Sequence, residues 1–199
     1  MSKRESILEA TLALIRSEGI SAVTTKKVAA AAGCAEGTIF NNFGDKGGLL
    51  AAVLSFGLPE TRTLYRRVEA AQATPDLRAG LVSIVDALMD FYRASYPLVG
   101  SALADQGLFA RYAQAHRDGG TGPQQAWRLV HDFLVAQQNA GRLAEAADLE
   151  TAALSVAGAC QNAVWVEMVS GSRALPHDGI GLAERISAAA LASVTVGVG

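Results

Sequence analysis

Residues 25–43 of the chain read TKKVAAAAGCAEGTIFNNF, and this stretch decides the fold of the N-terminal region. Within it, Ala29, Gly33 and Ile39 stand at positions five, nine and fifteen of a helix-turn-helix. A methyl group fits where the two helices cross closely, and glycine adopts the positive φ of the turn without strain. The later aliphatic side chain packs the helix pair onto a preceding helix. The spacing therefore predicts a helix-turn-helix whose second helix covers residues 36–43.

Cationic and polar side chains lie where such a motif meets DNA. The second helix of the pair enters the major groove, and the first lies across the backbone. Lys26 and Lys27 begin the first helix, and Lys46 begins the helix after the pair, which places cations where phosphates pass. The second helix also carries short polar side chains able to contact base edges or phosphates, namely Thr38, Asn41 and Asn42. These positions indicate double-stranded DNA as a partner.

Helical signals continue on both sides of the motif. An apolar stripe over residues 7–15 predicts a first helix that stops at Gly19. Thr24 or Thr25 caps the second helix, and Asp45 caps a fourth. Because proline disrupts a helix interior, we expect a kink or break near Leu58 and a helical continuation to about Ala73.

Helical signals continue through the remainder of the chain, and no convincing pair of strands is found there. Thr74 is expected to cap a helix whose first turn contains Pro75 and Asp76, and Pro97 is expected to end it. Turn residues at 118–123 predict a loop. Further helices are expected over residues 98–116, from Pro123 to a stop at Gly141, and over residues 148–170 and 181–196. About nine helices and no strand pair predict an all-α fold.

Composition limits the possible classes of protein. The 199 residues are 50% hydrophobic and 18% charged, which excludes a disordered chain, and two cysteines exclude a disulfide-stapled domain. The net charge of −2 provides no overall basic field, so a nucleic acid must be met locally. Glu5 and Glu9 interrupt any export signal, and residues 151–166 fall short of the ~20 apolar residues of a spanning helix. We therefore expect a cytoplasmic protein without a membrane partner.

The residues with reactive side chains do not form a recognisable catalytic or metal site. Cys34 and Cys160 occur singly and are read as small packing residues. His116, His131 and His177 lack ligand spacing to one another or to cysteine. A nucleophile, base and orienting group are not visible together, so we expect no enzyme, no metal and no cofactor.

Residues 4–50 resemble the DNA-binding domain of the tetracycline repressor (TetR) family of transcriptional regulators. The matching frame comprises IL at Ile7, EG at Glu18, TT at Thr24, then VAAAAG and GTIFNNF, and Lys46 followed by two leucines. A weaker match is AGRL at Ala140 leading to DLETAAL, which is similar to the entry into the family's long dimerisation helix. The resemblance implies a helix-turn-helix DNA-binding domain over residues 1–48 and an effector-binding and dimerisation domain over residues 49–199.

The resemblance further implies a homodimer that binds a palindromic operator, most simply as a repressor that a small-molecule effector releases. The DNA-binding residues it implies are Thr25, Lys26, Lys27, Gly37, Thr38, Phe40, Asn41, Asn42 and Lys46. Residues that would line an effector pocket are Tyr92, Tyr96, Leu103, Phe109, Trp127, Val130, Gln161 and Trp165. Small residues that would form the dimer interface are Ala152, Ala153, Val156, Ala159, Cys160, Ala163, Ile186, Ala189 and Ala190.

Four residues depart from the family pattern. Ala35 replaces the serine that usually caps the recognition helix, and Phe40 replaces a tyrosine whose hydroxyl would reach phosphate. Asn42 stands in place of histidine, and Gly47 in place of glutamate. These departures leave an alternative open: a degenerate relative that binds a ligand or a protein but binds DNA weakly or not at all.

Overall fold

The computed structural model describes residues 2–118, 122–176 and 180–195, and within them the chain is helical without strands. Ten α-helices occur in this part of the chain, close to the nine expected. They are α1 (Lys3–Glu18), α2 (Thr25–Ala31), α3 (Glu36–Phe43), α4 (Lys46–Ala52), α5 (Pro59–Ala73), α6 (Leu77–Leu103), α7 (Gln106–Asp118), α8 (Gln124–Asn139), α9 (Leu149–Ser170) and α10 (Leu182–Val194). Short 3-10 turns cover Ile20–Ala22 and Ser172–Ala174, and a π-helical turn covers Val53–Gly57.

Most of the predicted boundaries are confirmed. Gly19 follows α1 at φ +80°, and Gly171 follows α9 at φ +78°. The break expected near Leu58 falls between the π-helical turn and α5. Three predictions involve residues outside the described part: residues 119–121 of the expected loop, His177, and the end of the last helix at Val196.

Pro97 does not end its helix, contrary to the prediction. Helix α6 continues through Pro97 to Leu103, and the next helix begins at Gln106 instead of near residue 98. A proline inside a helix costs about 3 kcal/mol, because one backbone hydrogen bond is absent and the ring clashes with the preceding turn. Ser95, Leu98 and Ala102 are all buried and form one stripe across the proline. Burial of side chains on both sides of the proline offsets this cost, and the helix continues.

The chain forms two compact units. The first comprises Met1–Arg62 and Ala94–Gly122. In it α1 packs on α2, α2 on α3, α3 on α4, and α4 on α7. The largest wholly buried side chains of this unit include Ile7, Ile39 and Leu49. The stripe predicted for α1 is confirmed, since Ile7, Leu8, Leu12 and Ile15 are buried.

The second unit comprises Thr63–Arg93 and Pro123–Gly199. Helix α9 packs against both α8 and α10. Phe133 and Leu134 of α8 are wholly buried, as is Cys160 of α9. Burial raises the pKa of the Cys160 thiol to about 12, so the cysteine is a packing residue in this core.

Candidate nucleic-acid interface

The turn between α2 and α3 has the geometry that the sequence predicts. Gly33 adopts φ +60°, and the Cys34 N–H donates to the carbonyl of Ala29 at 2.9 Å, which closes the turn. Ala29 and Ile39 are both buried beneath the crossing of the helices. Thr24 caps α2 by accepting a hydrogen bond from the Lys27 N–H at 3.2 Å. These contacts set the angle at which α3 leaves the domain.

Helix α3 presents most of its predicted DNA-binding residues to solvent. Gly37, Phe40, Asn41 and Asn42 are exposed, and Thr38 is half-buried. The Asn42 amide donates to the carbonyl of Thr38 at 2.8 Å, so this side chain lies along its own helix. Asn41 is also exposed, and the described contacts of α3 include no such hydrogen bond from its side chain to its own helix. It is therefore the better candidate for bidentate contact with an adenine.

The start of α3 has an unusual arrangement of polar groups. Ala35 occupies the N-cap position. It provides no side-chain hydrogen bond there, because a methyl group has no acceptor atom. Glu36 follows in the first turn, where a carboxylate interacts favourably with the helix dipole. The Thr25 hydroxyl donates to Glu36 Oε1 at 2.5 Å and thereby joins α2 to α3. Thr25 thus has a structural partner inside the motif.

The three predicted phosphate-contacting lysines differ in their surroundings. Lys26 is exposed at the start of α2. Lys27 Nζ lies 2.6 Å from Glu18 Oε2 in an exposed ion pair. Lys46 Nζ is half-buried and donates to the carbonyl of Ile20 at 2.9 Å, and burial lowers the pKa of its ammonium group. Residues 1–48 contain six basic and five acidic side chains, so the position of each lysine matters more than the net charge.

Gly47 has a packing role that sequence reasoning missed. A Cβ atom at Gly47 would lie 2.5 Å from Arg111 Cβ and 2.8 Å from the backbone nitrogen of Tyr112, so α4 and α7 touch backbone to backbone. Asp45 caps α4, and its Oδ2 also lies 3.6 Å from Arg111 Nε. The glycine that departs from the family pattern is the residue that permits this crossing. Its only sequence signal was the pair of adjacent glycines in a helix.

Arg4 is a second residue to which the sequence assigned no role. Its guanidinium lies 5.0 Å from the ring centroid of Phe43 and 5.7 Å from that of Phe56. Such cation–π contacts are worth about 0.5–1 kcal/mol at exposed sites. They join the start of α1 to the end of α3 and to the π-helical turn. Arg4 therefore helps to hold the recognition helix in place.

The residues predicted to line a pocket belong to both units. Tyr96, Leu103 and Phe109 belong to the first unit, and the other five belong to the second. Tyr92 and Val130 are buried, whereas the side chains of Leu103 and Trp165 are 55% and 56% exposed. The remaining members are half-buried, namely Tyr96, Phe109, Trp127 and Gln161.

An open cleft of about 380 Å³ lies in the second unit. Its lining includes none of the eight predicted pocket residues. The lining consists of Met89, Arg93, Glu167, Leu175, Pro176, Ile180, Gly181 and Leu182.

The residues predicted for a dimer interface fall into two groups, which differ in burial. Six are buried within their own chain, in which α9 packs against α8 and α10: Ala152, Ala153, Val156, Cys160, Ala163 and Ala190. Ala159 and Ala189 are exposed, and Ile186 is half-buried. Helix α9 also exposes large apolar side chains that the prediction did not include: Leu154, Trp165, Met168 and Val169.

No helix in the part of the chain that the structure describes is both long enough and apolar enough to cross a bilayer.

An exposed recognition helix on a glycine turn, with lysines at the start of the helices on either side, defines a helix-turn-helix DNA-binding domain. Residues 7–53 match the family model of bacterial regulatory proteins, tetR family. Curated relatives and solved structures of the same fold agree with this match, which assigns residues 7–53 to the DNA-binding domain of the tetR family.

Two curated relatives are HTH-type transcriptional regulators named BetI. The protein from Paraburkholderia phymatum is 38% identical over 104 residues, which cover 51% of this chain and 52% of the relative. The protein from Paraburkholderia xenovorans is 34% identical over 103 residues, with the same coverage of both chains. The chain thus matches about half the length of these relatives.

Solved structures share the fold over nearly the whole chain. A protein of Mesorhizobium loti assigned to the TetR family has a TM-score of 0.71 at 17% identity and covers 98% of this chain and 97% of its own. The transcriptional regulator FadR from Bacillus subtilis, in complex with stearoyl-CoA, has a TM-score of 0.61 at 16% identity and covers 94% and 97%. At these identities the likeness concerns the fold alone.

Proposed function

We propose that this chain is a ligand-responsive transcriptional regulator, a repressor that leaves a palindromic DNA operator when a small-molecule effector binds. The observation that carries the proposal is the geometry of the first unit. Helix α3 is exposed on the glycine turn at Gly33, and Lys26 and Lys46 begin the helices on either side of it. We propose the nine DNA-binding residues that the family resemblance implies as its DNA contacts, no catalytic activity, and a cytoplasmic location.

Binding as a homodimer is part of this proposal. Two copies of α3 must lie about 34–36 Å apart to enter successive major grooves. The apolar side chains that α9 exposes, together with Ala159 and Ala189, provide a surface that a second copy could cover. A palindromic operator is the expected consequence of this two-fold symmetry.

Coupling between effector and DNA is proposed to pass through α4 and α7. The ring of Phe109, a predicted pocket residue, lies 5.9 Å from that of Tyr112 on α7. The backbone of Tyr112 contacts Gly47, which follows Lys46 in α4. An effector that shifts α7 therefore moves the start of α4 as well. A coupling of about 1–3 kcal/mol between the two sites is typical of such systems.

The relatives support the ligand-responsive part of the proposal by analogy. FadR of Bacillus subtilis was solved with stearoyl-CoA, and SmeT, a further structural neighbour with a TM-score of 0.57, was solved with triclosan. By this analogy, we propose that the chain binds a small-molecule effector. We propose the domain division at residues 48 and 49 on the same family resemblance.

The experiment that tests this function is selection of bound duplexes from a random DNA library by the full chain, followed by titration at several salt concentrations. Lys26→Ala should weaken binding to all sequences alike. It should also reduce the steepness of log K against log salt concentration by about 1 for each phosphate that is no longer neutralised, or about 2 in a dimer. Lys46→Ala should also weaken binding to all sequences. Arg66→Ala, which removes an exposed cation from the second unit, is the matched control and should leave binding unchanged.

The two interpretations of the chain give different results in this experiment. A regulator enriches one sequence, and its binding falls as salt rises. A degenerate relative enriches no sequence, and neither lysine substitution changes any DNA assay. The second result would refute the proposed function.

A further inference from the structure

The two aromatic side chains of the recognition helix differ in their exposure to solvent. Phe43 is half-buried with the Arg4 guanidinium 5.0 Å from its ring centroid, whereas Phe40 is 48% exposed. Ile39, the neighbour of Phe40, is wholly buried, so the apolar core of the domain is already formed without Phe40. Phe40 is therefore displayed on the outer surface of α3.

The surface around Phe40 allows another molecule to come close. Gly37 lies one turn before Phe40, and Gly44 lies one turn after it. A Cβ atom at either glycine would meet nothing within 4 Å, so open space surrounds the helix backbone on both sides of the ring. Asn41, the exposed amide of the same helix, stands beside it. Among the residues of α3, all of which the structure describes, Phe40 is thus the large apolar side chain that is exposed, and Gly37 and Asn41 beside it are flat or polar.

The chemistry of the side chain restricts what it can recognise on DNA. A phenyl ring has neither a hydrogen-bond donor nor an acceptor, so it cannot bond to phosphates or to the polar edges of bases. The thymine C5 methyl group is the apolar feature of the major groove, and phenylalanine is among the side chains that contact it. A hydroxyl at this position, as in the usual tyrosine of the family, would favour a polar contact instead.

We propose that Phe40 is a specificity-determining residue that reads a thymine methyl group in each half-site of the operator. This inference rests on the proposed function, since it requires α3 to enter the major groove. It adds a definite sequence requirement, because cytosine and uracil lack that methyl group. Phe40 therefore contributes to the choice of sequence rather than to general affinity for the backbone.

The test uses the full chain and the duplex selected as its operator. Each thymine is replaced singly by deoxyuridine, which removes only the methyl group, and the Kd is measured by fluorescence anisotropy at one fixed salt concentration. Replacing the contacted thymine in one half-site should weaken binding about fourfold, which corresponds to about 0.8 kcal/mol for one buried methyl group. The same replacement in both half-sites should weaken binding about sixteenfold if the two act independently.

Substitutions of Phe40 test whether this side chain is the one that senses the missing methyl group. In Phe40→Ala, the sensitive thymine and its deoxyuridine counterpart should be bound equally, although overall affinity is lower. Phe40→Leu keeps an apolar side chain and should retain part of the discrimination. Tyr65→Ala is the matched control, since Tyr65 is a 41% exposed aromatic side chain of α5 in the second unit, and it should retain the full fourfold effect. Thermal melts of the three variants verify that each is folded.

The possible outcomes separate this inference from the proposed function. If the chain selects an operator but no deoxyuridine replacement weakens binding, or if the effect persists in Phe40→Ala, the inference is wrong and the function stands. If the chain selects no DNA, both are wrong. If Phe40→Ala changes the oligomeric state measured without DNA, the ring is covered by a second copy of the chain and the inference fails.

Discussion

Replacing Gly47 by alanine tests the backbone contact between α4 and α7. The new Cβ atom would lie 2.5 Å from Arg111 Cβ and 2.8 Å from the backbone nitrogen of Tyr112, which is closer than nonbonded atoms can approach. The obstructing atoms belong to the backbone and to a Cβ, so no flexible side-chain end can turn away. The two helices must therefore separate, and the substitution should destabilise the protein.

The magnitude follows from two opposing effects. Overpacking of this kind costs up to about 3 kcal/mol. Alanine is favoured over glycine inside a helix by about 1 kcal/mol, which offsets part of that cost. The expected net decrease is about 2 kcal/mol of unfolding free energy. For a chain of 199 residues this decrease should lower the Tm by roughly 4–8 °C.

The assay is urea unfolding followed by circular dichroism, with Gly100→Ala as the matched control. Gly100 lies inside α6, and a Cβ atom there would meet nothing within 4 Å. The control should therefore gain up to about 1 kcal/mol from helix propensity alone. Two alanine substitutions that are chemically identical should thus differ by about 3 kcal/mol. If Gly47→Ala is as stable as Gly100→Ala, the close crossing of α4 and α7 is refuted.

Three further predictions concern other parts of the chain. Ala35→Ser should supply the missing side-chain cap of α3 and raise the unfolding free energy by about 0.5–2 kcal/mol in a urea titration; an unchanged midpoint would contradict the cap assignment. Iodoacetamide at pH 8.5 should alkylate half-exposed Cys34 but not buried Cys160, whose pKa is raised to about 12, and mass spectrometry should find both modified only after unfolding. Glu167→Gln removes an ion pair with Arg93 in which the guanidinium donates to both carboxylate oxygens, at 2.9–3.2 Å. Because the pair is partly exposed, the cost should be at most about 1 kcal/mol at low salt and should fade in 1 M NaCl; an equal cost at both salt concentrations would argue against an electrostatic origin.

The helix-turn-helix is where sequence reasoning succeeded most fully. Residues 36–43 were expected as the second helix, and α3 covers Glu36–Phe43. The cap at Asp45 and the positive φ of Gly33 were also expected. Such features follow from rules that act over a few residues, including capping hydrogen bonds and the φ angles open to glycine.

The errors and omissions came from contacts between distant parts of the chain. Pro97 was expected to end a helix, but the buried stripe of Ser95, Leu98 and Ala102 keeps that helix continuous. Gly47 was regarded only as a departure from a family pattern, since the partner that explains it lies more than sixty residues away on α7. The small residues of α9 were predicted to form a dimer interface, which stays a prediction, and most of them are buried within their own chain.

By itself, the sequence determined the class of domain at the N-terminus and the identity of its recognition helix, because local sterics and hydrogen bonding are encoded in a few neighbouring residues. The tertiary structure alone decided which apolar groups remain exposed, such as Phe40 and Trp165, and which small residues are used inside the chain. It also decided that Lys46 bonds to the carbonyl of Ile20. The physical reason is that burial and close approach depend on which surfaces meet after folding, and helical periodicity marks a buried face without naming its partner.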